Sequence, residues 1–248
     1  MANEKMLRNL LIALVMYAST TAVEFEDNFK NCHPDKLGFD ACVRKGLNAI
    51  QPYFKTGLSK YNVLPLDPSF IKEITVTRGV PNFGFTLTLR NVTEIGWTLS
   101  KVTKFISELR NYKIVYTQSF PKKGLTGNYE FKAALFSSTI TNKGKFTLNL
   151  HDLMQTTTVT KVPGQKLRAE MDVESIGDLE LHITNLLFGK KYLENILDMI
   201  INNTWQPSFM ITRRLINELV SIAFTDIFDK SFRNFPFEQI FKSNQSIS

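Results

Sequence analysis

The sequence has few of the residues that build metal centres. Among its 248 residues there are two cysteines, Cys32 and Cys42, and three histidines, His33, His151 and His182. A structural zinc site takes four ligands, and His33 is the only histidine close in sequence to the cysteines. The sequence therefore indicates neither a metal site nor a cofactor.

Catalytic and nucleotide-binding motifs are also missing. There is no G-x-S-x-G or H-E-x-x-H, and Gly144-Lys145 and Gly189-Lys190 lack the upstream glycine of a phosphate loop. We interpret Asp152, Asp172 and Glu174 as solvated carboxylates rather than an acid–base pair. His151 and His182 are expected at outward or rim positions of strands, and the chain is predicted not to be an enzyme.

The one unbroken apolar run, residues 10–16, is too short to span a bilayer, which takes about 20 residues. Lys5 and Arg8 precede it, and the small residues 18–22 follow. This is the pattern of a signal peptide cleaved after Ala22; the alternative is a buried N-terminal helix. Residues 23–248 are then expected to be a single domain, soluble, secreted and extracellular, without integral membrane association.

In an oxidising compartment Cys32 and Cys42 are expected to pair; the alternative is two unpaired buried thiols. The small loop that they close contributes a little under ~3 kcal/mol in the chain-entropy view. Sequons that begin at Asn91, Asn202 and Asn244 are candidate glycosylation sites.

The formal net charge is +7, which is compatible with nucleic acid or an anionic surface as partner. However, lysine and arginine occur singly or in pairs, without a basic run interleaved with aromatic residues. We therefore favour a solvated surface, expect no nucleic-acid partner, and expect a monomer.

The N-terminal part of the mature chain predicts a helix. Asp40 is its expected N-cap, Pro52 is expected to kink or shorten it, and Gly57 is its expected stop. Residues 64–68 are expected to be extended, because a residue that precedes proline avoids the helical region.

Alternating apolar and polar residues from about Ile74 to Phe188 predict a meandering antiparallel sheet with one apolar face. Turns are expected at Gly79, at Asn111, at Lys123-Gly124, at residues 142–144 and at Pro163-Gly164.

Residues 192–230 follow helical spacing. One straight helix of this length would be about 58 Å long, whereas a compact chain of this size has a radius of gyration of about 17 Å. We therefore expect a break, with Pro207 as its position.

The apolar stripe of this helix has the apolar face of the sheet as its only large partner. Such packing leaves either a ligand groove along the helix or a filled α+β core, and periodicity alone does not decide between them. Tyr116 and Tyr129 are candidate polar groups for a ligand. The remaining lining candidates are inward strand and helix positions: Phe83, Phe85, Leu87, Phe131, Leu148, Ile200, Trp205 and Leu215.

The chain resembles the insect takeout family, relatives of the haemolymph juvenile hormone-binding proteins, over nearly all of its mature length. The order and spacing of several short elements carry the resemblance: Cys32 and Cys42, Leu66-Asp67-Pro68 followed by Ile74, residues 91–97, Gly127-Asn128-Tyr129, residues 146–150, residues 182–187, Asn203-Thr204-Trp205, Phe228, Phe232 and Pro236.

The resemblance implies an α+β fold in which a highly curved antiparallel sheet wraps one long C-terminal helix and encloses an apolar tunnel. Juvenile hormone binders usually have a second disulfide, which this chain lacks, so the takeout branch is favoured. Pro207 is unusual for the family.

The expected function is a secreted carrier of a small hydrophobic ligand: a terpenoid, a fatty acid or a similar lipid, with juvenile hormone among the candidates. The alternatives are an extracellular interaction protein with a filled core and a membrane-lipid binder.

Overall fold

A computed structural model describes residues 24–80, 83–135, 138–185 and 190–232, together with residues 235 and 240. The predicted signal segment and Asn244 lie outside the described residues. Within them the chain forms, in order, α1 (Phe39–Ala49), α2 (Tyr53–Thr56), β1 (Ser69–Val80), β2 (Phe83–Ile95), β3 (Lys101–Glu108), β4 (Lys113–Leu135), β5 (Ser138–Thr160), β6 (Arg168–Ser175), β7 (Asp178–Ile183), α3 (Lys191–Asn203) and α4 (Trp205–Phe232).

The described strands form one antiparallel sheet of seven strands, as the alternating pattern predicted. Its centre is the β4–β5 hairpin, paired from Leu135↔Ser138 to Lys113↔Thr160. The other edge of β4 pairs with β2 near the hairpin tip and with β3 near its base. In the same way, β5 pairs with β7 and then with β6, while β1 extends the sheet beyond β2. The sheet is open, because its order begins at β1 and ends at β6.

The central hairpin must be strongly curved. β4 and β5 each contain 23 residues, which would span about 75 Å if straight. A compact chain of this length has a radius of gyration of about 17 Å, so a straight hairpin would extend well beyond it. Curvature of the hairpin therefore bends the whole sheet.

Two predicted turns were wrong, because Lys123-Gly124 lies inside β4 and residues 142–144 lie inside β5. Gly144 is instead a point of close approach: a Cβ atom there would lie 2.2 Å from the carbonyl oxygen of Thr184. Gly79 also lies within a strand, one residue before the end of β1. The turns at Asn111 and at Pro163-Gly164 are confirmed.

The N-terminal helix differs from its predicted form at its start. α1 follows Gly38, and Asp40 does not cap it. The Asp40 carboxylate instead accepts hydrogen bonds from the Ser107 backbone N–H at 3.2 Å and the Ser107 hydroxyl at 2.6 Å. The helix ends at Ala49, before Pro52, and Gly57 with φ 69° ends the short α2 as expected.

Helical side chains satisfy the backbone at the free strand edges. Asn48 of α1 accepts a hydrogen bond from the Val102 N–H at 2.8 Å and donates one to the Val102 carbonyl at 2.9 Å. Asn202 of α3 accepts a hydrogen bond from the Leu181 N–H at 2.8 Å. An unpaired edge is a template for association with another chain, so these contacts protect β3 and β7.

α4 covers the edge of β6 in the same manner with three side chains spaced four residues apart. The N–H groups of alternate β6 residues donate to Asn217 at 3.1 Å, Ser221 at 2.8 Å and Thr225 at 3.0 Å. On its other side α4 contacts β1, where Glu218 pairs with Arg78. Because the same helix contacts both ends of the sheet order, the sheet wraps around α4.

The C-terminal helical region is interrupted at Thr204, between α3 and α4, and not at Pro207 as predicted. Pro207 is the third residue of α4, in the turn whose N–H groups have no partner within the helix. Its missing N–H therefore removes no helical hydrogen bond. Among the described helices, none is long and apolar enough to cross a bilayer.

Two hydrophobic clusters form the described core. The first lies between the sheet and α4 and includes Phe120, Leu153 and Phe224, each at most 2% exposed. The second surrounds α1 and the Cys32–Cys42 disulfide, whose Cα atoms are 5.4 Å apart. This disulfide confirms the expected pairing.

Candidate functional site

The interior between the sheet and α4 is the candidate functional site. Its centre is tightly packed, because Trp97 lies against Phe120 and Phe224 with ring centroids 5.2 Å apart in each pair. Around this centre, the apolar side chains that form the wall of the interior are packed less completely. Several apolar side chains of the first cluster remain only partly buried: Leu87, Leu89, Leu125, Phe146, Leu148, Leu215, Ile227 and Phe228.

Three of the ten predicted lining residues lie along this wall. Leu87, Leu148 and Leu215 pack against the first cluster and keep some accessible surface. Trp205 is buried at the start of α4 and contacts Phe209.

Near the hairpin tip, Phe85 and Phe131 stack with ring centroids 5.6 Å apart. Phe131 is 36% exposed. Ile200 lies elsewhere, on α3, and is 53% exposed. The side chain of Phe83 lies outside the described part of the molecule.

The two predicted tyrosines have different surroundings. The Tyr129 hydroxyl is 2.5 Å from Asn142 Oδ1 and 2.9 Å from the Thr184 carbonyl oxygen. Burial, with a contribution from the charge of Glu194, raises the pKa of Tyr129. Its hydroxyl already joins β4 to β5 and to the segment after β7, so it is occupied within the protein.

Tyr116 belongs to a group of polar side chains on the inner face of the β4–β5 hairpin. It is opposite Thr157, and the neighbouring row pairs Gln118 with Gln155. Gln118 donates a hydrogen bond to Ser100 Oγ at 2.6 Å. These two rows lie between Phe120 of the first cluster and Ile114, which packs against the second cluster.

These inner rows contain groups that a ligand can meet. Burial raises the pKa of Tyr116 to about 12, with Thr157 opposing that effect, yet its side chain retains some accessible surface. Gln155 is 2% exposed, and its Nε2 has no hydrogen-bond partner among the described residues.

A buried ion pair borders the packed centre. Lys123 Nζ is 2.6 Å from Glu94 Oε1, and both side chains are at most 4% exposed. The ammonium group also lies 4.1 Å from the ring centroid of Phe120 and 4.4 Å from that of Trp97. Ser69 donates a hydrogen bond to the second oxygen of Glu94 at 3.1 Å.

Sequence reasoning missed the ion pair and the glutamine row. The available signal was alternation: Gln118 lies two residues from both Tyr116 and Phe120, so it shares their inward face. Lys123 lies on β4 and Glu94 lies on β2. Their contact depends on how these two strands pair in the sheet, which the local sequence pattern does not show.

The three histidines lie apart from one another in the fold. His182 contacts Asp198 of α3 through Nδ1 and is exposed, whereas His33 and His151 lie in other parts of the fold. Within the residues that the structure describes, no group of His, Cys, Asp and Glu is placed to hold a metal ion.

The sequon asparagines differ in accessibility. Asn91 is exposed at a register shift of β2, with φ 51°. Asn202 is half-buried between α3 and the edge of β7.

A surface pocket of about 400 Å³ lies outside the sheet–helix interior. Its wall includes Phe25, Glu26, Tyr53 and Tyr61. Glu26 accepts hydrogen bonds from Lys60 and Tyr61 at this position, so the pocket carries its own internal polar network.

Known proteins are similar to this chain in sequence and in fold. The circadian clock-controlled protein daywake of Drosophila yakuba is 21% identical over 248 residues, covering 94% of each chain. Its Drosophila melanogaster counterpart is 22% identical over 233 residues, covering 88% of each. The crystal structure of Takeout 1 from Epiphyas postvittana matches with a TM-score of 0.61 and 17% identity, covering 82% of this chain and 96% of that one.

The structural match confirms the expected fold class, a large curved antiparallel sheet with a long C-terminal helix. The profile of the haemolymph juvenile hormone binding protein family matches residues 10–242. This match spans nearly the whole sequence, and the chain therefore belongs to the haemolymph juvenile hormone binding protein family.

Proposed function

We propose that the protein is a secreted carrier that holds one small hydrophobic ligand between the sheet and α4. The observation that carries this proposal is the incomplete packing of inward apolar side chains beside a fully packed centre. Leu87, Leu148 and Leu215 face the interior and are only partly buried, which leaves apolar surface for a ligand to cover.

Membership of the family supports the proposal, since its name describes proteins that bind juvenile hormone. The Takeout 1 match supports the same wrapped-helix architecture. Secretion is supported by the basic, apolar and small-residue pattern of residues 1–22.

The polar rows on the hairpin favour a ligand that combines a hydrocarbon body with an oxygen-containing group. Apolar contacts alone discriminate weakly between lipids, because a methylene group contributes only about 0.8 kcal/mol. Tyr116 is the partly exposed member of these rows, and Gln155 has an unused amide donor. A terpenoid ester, a fatty acid or a similar lipid has the required combination.

Native mass spectrometry provides the test. The secreted chain is delipidated under mild conditions, incubated with insect lipid extract, and weighed intact. We expect uptake of about one apolar molecule per chain. Failure to take up any lipid, together with a solved structure whose interior is filled, would leave an extracellular interaction protein as the better description.

Two variants locate the ligand. Leu148→Trp adds volume to the interior wall and is expected to reduce uptake severalfold. Phe70→Trp is the matched control, because Phe70 is 72% exposed on β1. Equal uptake by both variants would contradict a ligand site between the sheet and α4.

A further inference from the structure

α3 presents four apolar side chains outward. Tyr192, Ile196, Met199 and Ile200 are 77%, 37%, 62% and 53% exposed. At 100° per residue these four positions occupy one face of the helix. We call this set the α3 outer face.

The opposite side of α3 explains this orientation. Asp198 contacts His182 and accepts the Ile183 N–H at 3.4 Å, while Asn202 accepts the Leu181 N–H. Glu194, on the same side, is 7% exposed. The polar side chains of α3 therefore turn inward to cap β7, and the α3 outer face lies on the side that is in solvent.

An exposed apolar stripe is unfavourable unless a partner covers it. A second copy of the chain is a poor fit, because four partly exposed side chains offer roughly 400–500 Å², whereas a stable interface buries about 800 Å² per partner. A helix of 13 residues with an apolar face is well suited to lie along a lipid surface.

Basic residues surround the beginning of α3. Lys190 immediately precedes the helix and is exposed, as are Lys143 and Lys145 of β5. The backbone carbonyl of Lys145 accepts the Thr184 N–H at 2.9 Å, and that of Lys143 accepts the Asn185 amide at 2.8 Å. These contacts place both lysines beside the segment that leads into α3.

The carboxylate of Glu130 is already paired with other cations. Glu130, cross-strand from Lys143, lies 2.7 Å from Lys132 and 2.7 Å from Arg90. Hydrogen bonds from these two cations lower the pKa of Glu130 to about 2. Glu180 is exposed on β7, beyond His182 and away from the lysines.

We propose that the α3 outer face, with Lys143, Lys145 and Lys190, binds peripherally to an anionic lipid membrane. The apolar side chains would enter the interfacial region, and the lysines would face the anionic headgroups. This binding does not depend on whether the interior takes up a ligand.

Co-sedimentation of the secreted chain with two kinds of vesicle tests the proposal. One kind contains phosphatidylcholine alone, and the other contains phosphatidylcholine with a third phosphatidylserine. We expect binding to the anionic vesicles that weakens as salt is added. Absence of sedimentation with either kind, or equal binding to both, would overturn the proposal.

Matched variants separate the two contributions. Met199→Glu/Ile200→Glu is expected to weaken vesicle binding at least about tenfold, whereas Leu37→Glu/Phe70→Glu changes exposed apolar residues elsewhere and is expected to leave it unchanged. Lys143→Glu/Lys145→Glu is expected to weaken binding to the anionic vesicles at least about 30-fold, at about 1 kcal/mol for each basic residue lost.

Lys101→Glu/Lys104→Glu, on exposed residues of β3, is the control for net charge. If this control lost as much vesicle binding as Lys143→Glu/Lys145→Glu, the result would contradict a local binding site. If the wild-type chain is a dimer by light scattering and Met199→Glu/Ile200→Glu is a monomer, the face is an interface between copies and the membrane proposal fails. Circular dichroism establishes that each variant is folded.

Discussion

The side-chain amide of Asn48 forms two hydrogen bonds with the backbone of one residue, Val102, at 2.8 and 2.9 Å. The amide therefore pairs with β3 as a neighbouring strand would. Together with the contacts of α3 and α4, it makes the helices of this fold part of the hydrogen bonding of the sheet.

Asn48→Ala is expected to lower the free energy of unfolding by about 2 kcal/mol, because it leaves the Val102 N–H and carbonyl without partners. Alanine is the better helix former, so the loss cannot come from helix propensity. Urea denaturation measures it. Lys45→Ala, one turn away on the exposed side of α1, should change stability by less than about 0.5 kcal/mol; similar values for both variants would contradict the edge-capping role.

Lys123→Met is expected to destabilise the protein by about 3–5 kcal/mol, because it leaves the buried Glu94 carboxylate without a counter-charge. The double variant Glu94→Gln/Lys123→Met should recover much of that loss. Thermal and chemical unfolding of the two single variants and the double variant form a thermodynamic cycle. Additive losses would show that the two charges do not interact.

Asp67 links the segment before β1 to the turn after β2. Its carboxylate accepts the Thr98 N–H at 2.7 Å and the Gly96 N–H at 3.1 Å. Burial raises the pKa of Asp67, but these hydrogen bonds and that from the Thr98 hydroxyl outweigh the effect, so that the pKa is lowered in the folded state.

A lowered folded pKa means that the carboxylate stabilises the fold above its ordinary pKa of about 4, and that this contribution is lost as the pH falls through the folded value. Asp67→Asn should lower stability by about 1–2 kcal/mol at neutral pH. The difference from wild type should shrink at acidic pH. Urea titrations across that range provide the measurement, and a difference independent of pH would contradict the assignment.

Asn91 is expected to carry a glycan when the protein is secreted from insect cells, because it is exposed on the sheet surface. Asn202 is expected to remain unmodified, because its side chain is half-buried against β7. Intact mass before and after enzymatic deglycosylation tests this, with Asn91→Gln as the variant that removes the mass difference. A glycan at Asn202 would show that the contact between α3 and β7 forms only after modification, or not at all.

The sheet and the C-terminal helical region could be predicted from the sequence, because alternation and helical spacing depend on local burial. The two wrong turns arose from Gly124 and Gly144, where glycine serves close packing: a Cβ at Gly124 would lie 3.0 Å from Ile95. A glycine that allows contact with a distant segment has the same local pattern as one that forms a turn.

The edge-capping side chains could not be predicted, because their partners are backbone groups on strands distant in sequence. The four-residue spacing of Asn217, Ser221 and Thr225 places these polar side chains on one face of α4. Which backbone groups they contact depends on the position of β6. The orientation of α3 was missed for the same reason, so Ile200 was assigned inward by spacing alone although it is exposed.

The position of α4 in the chain has a consequence for synthesis. Strands β1 to β7 precede it, and much of their pairing joins segments that are adjacent in sequence, whereas α4 contacts both ends of the sheet order. During translation all seven strands of the sheet are therefore synthesised before α4, the helix that covers their apolar face. Until residues 205–232 emerge from the ribosome, the apolar face lies open along its length, and the nascent chain needs protection from aggregation at that stage.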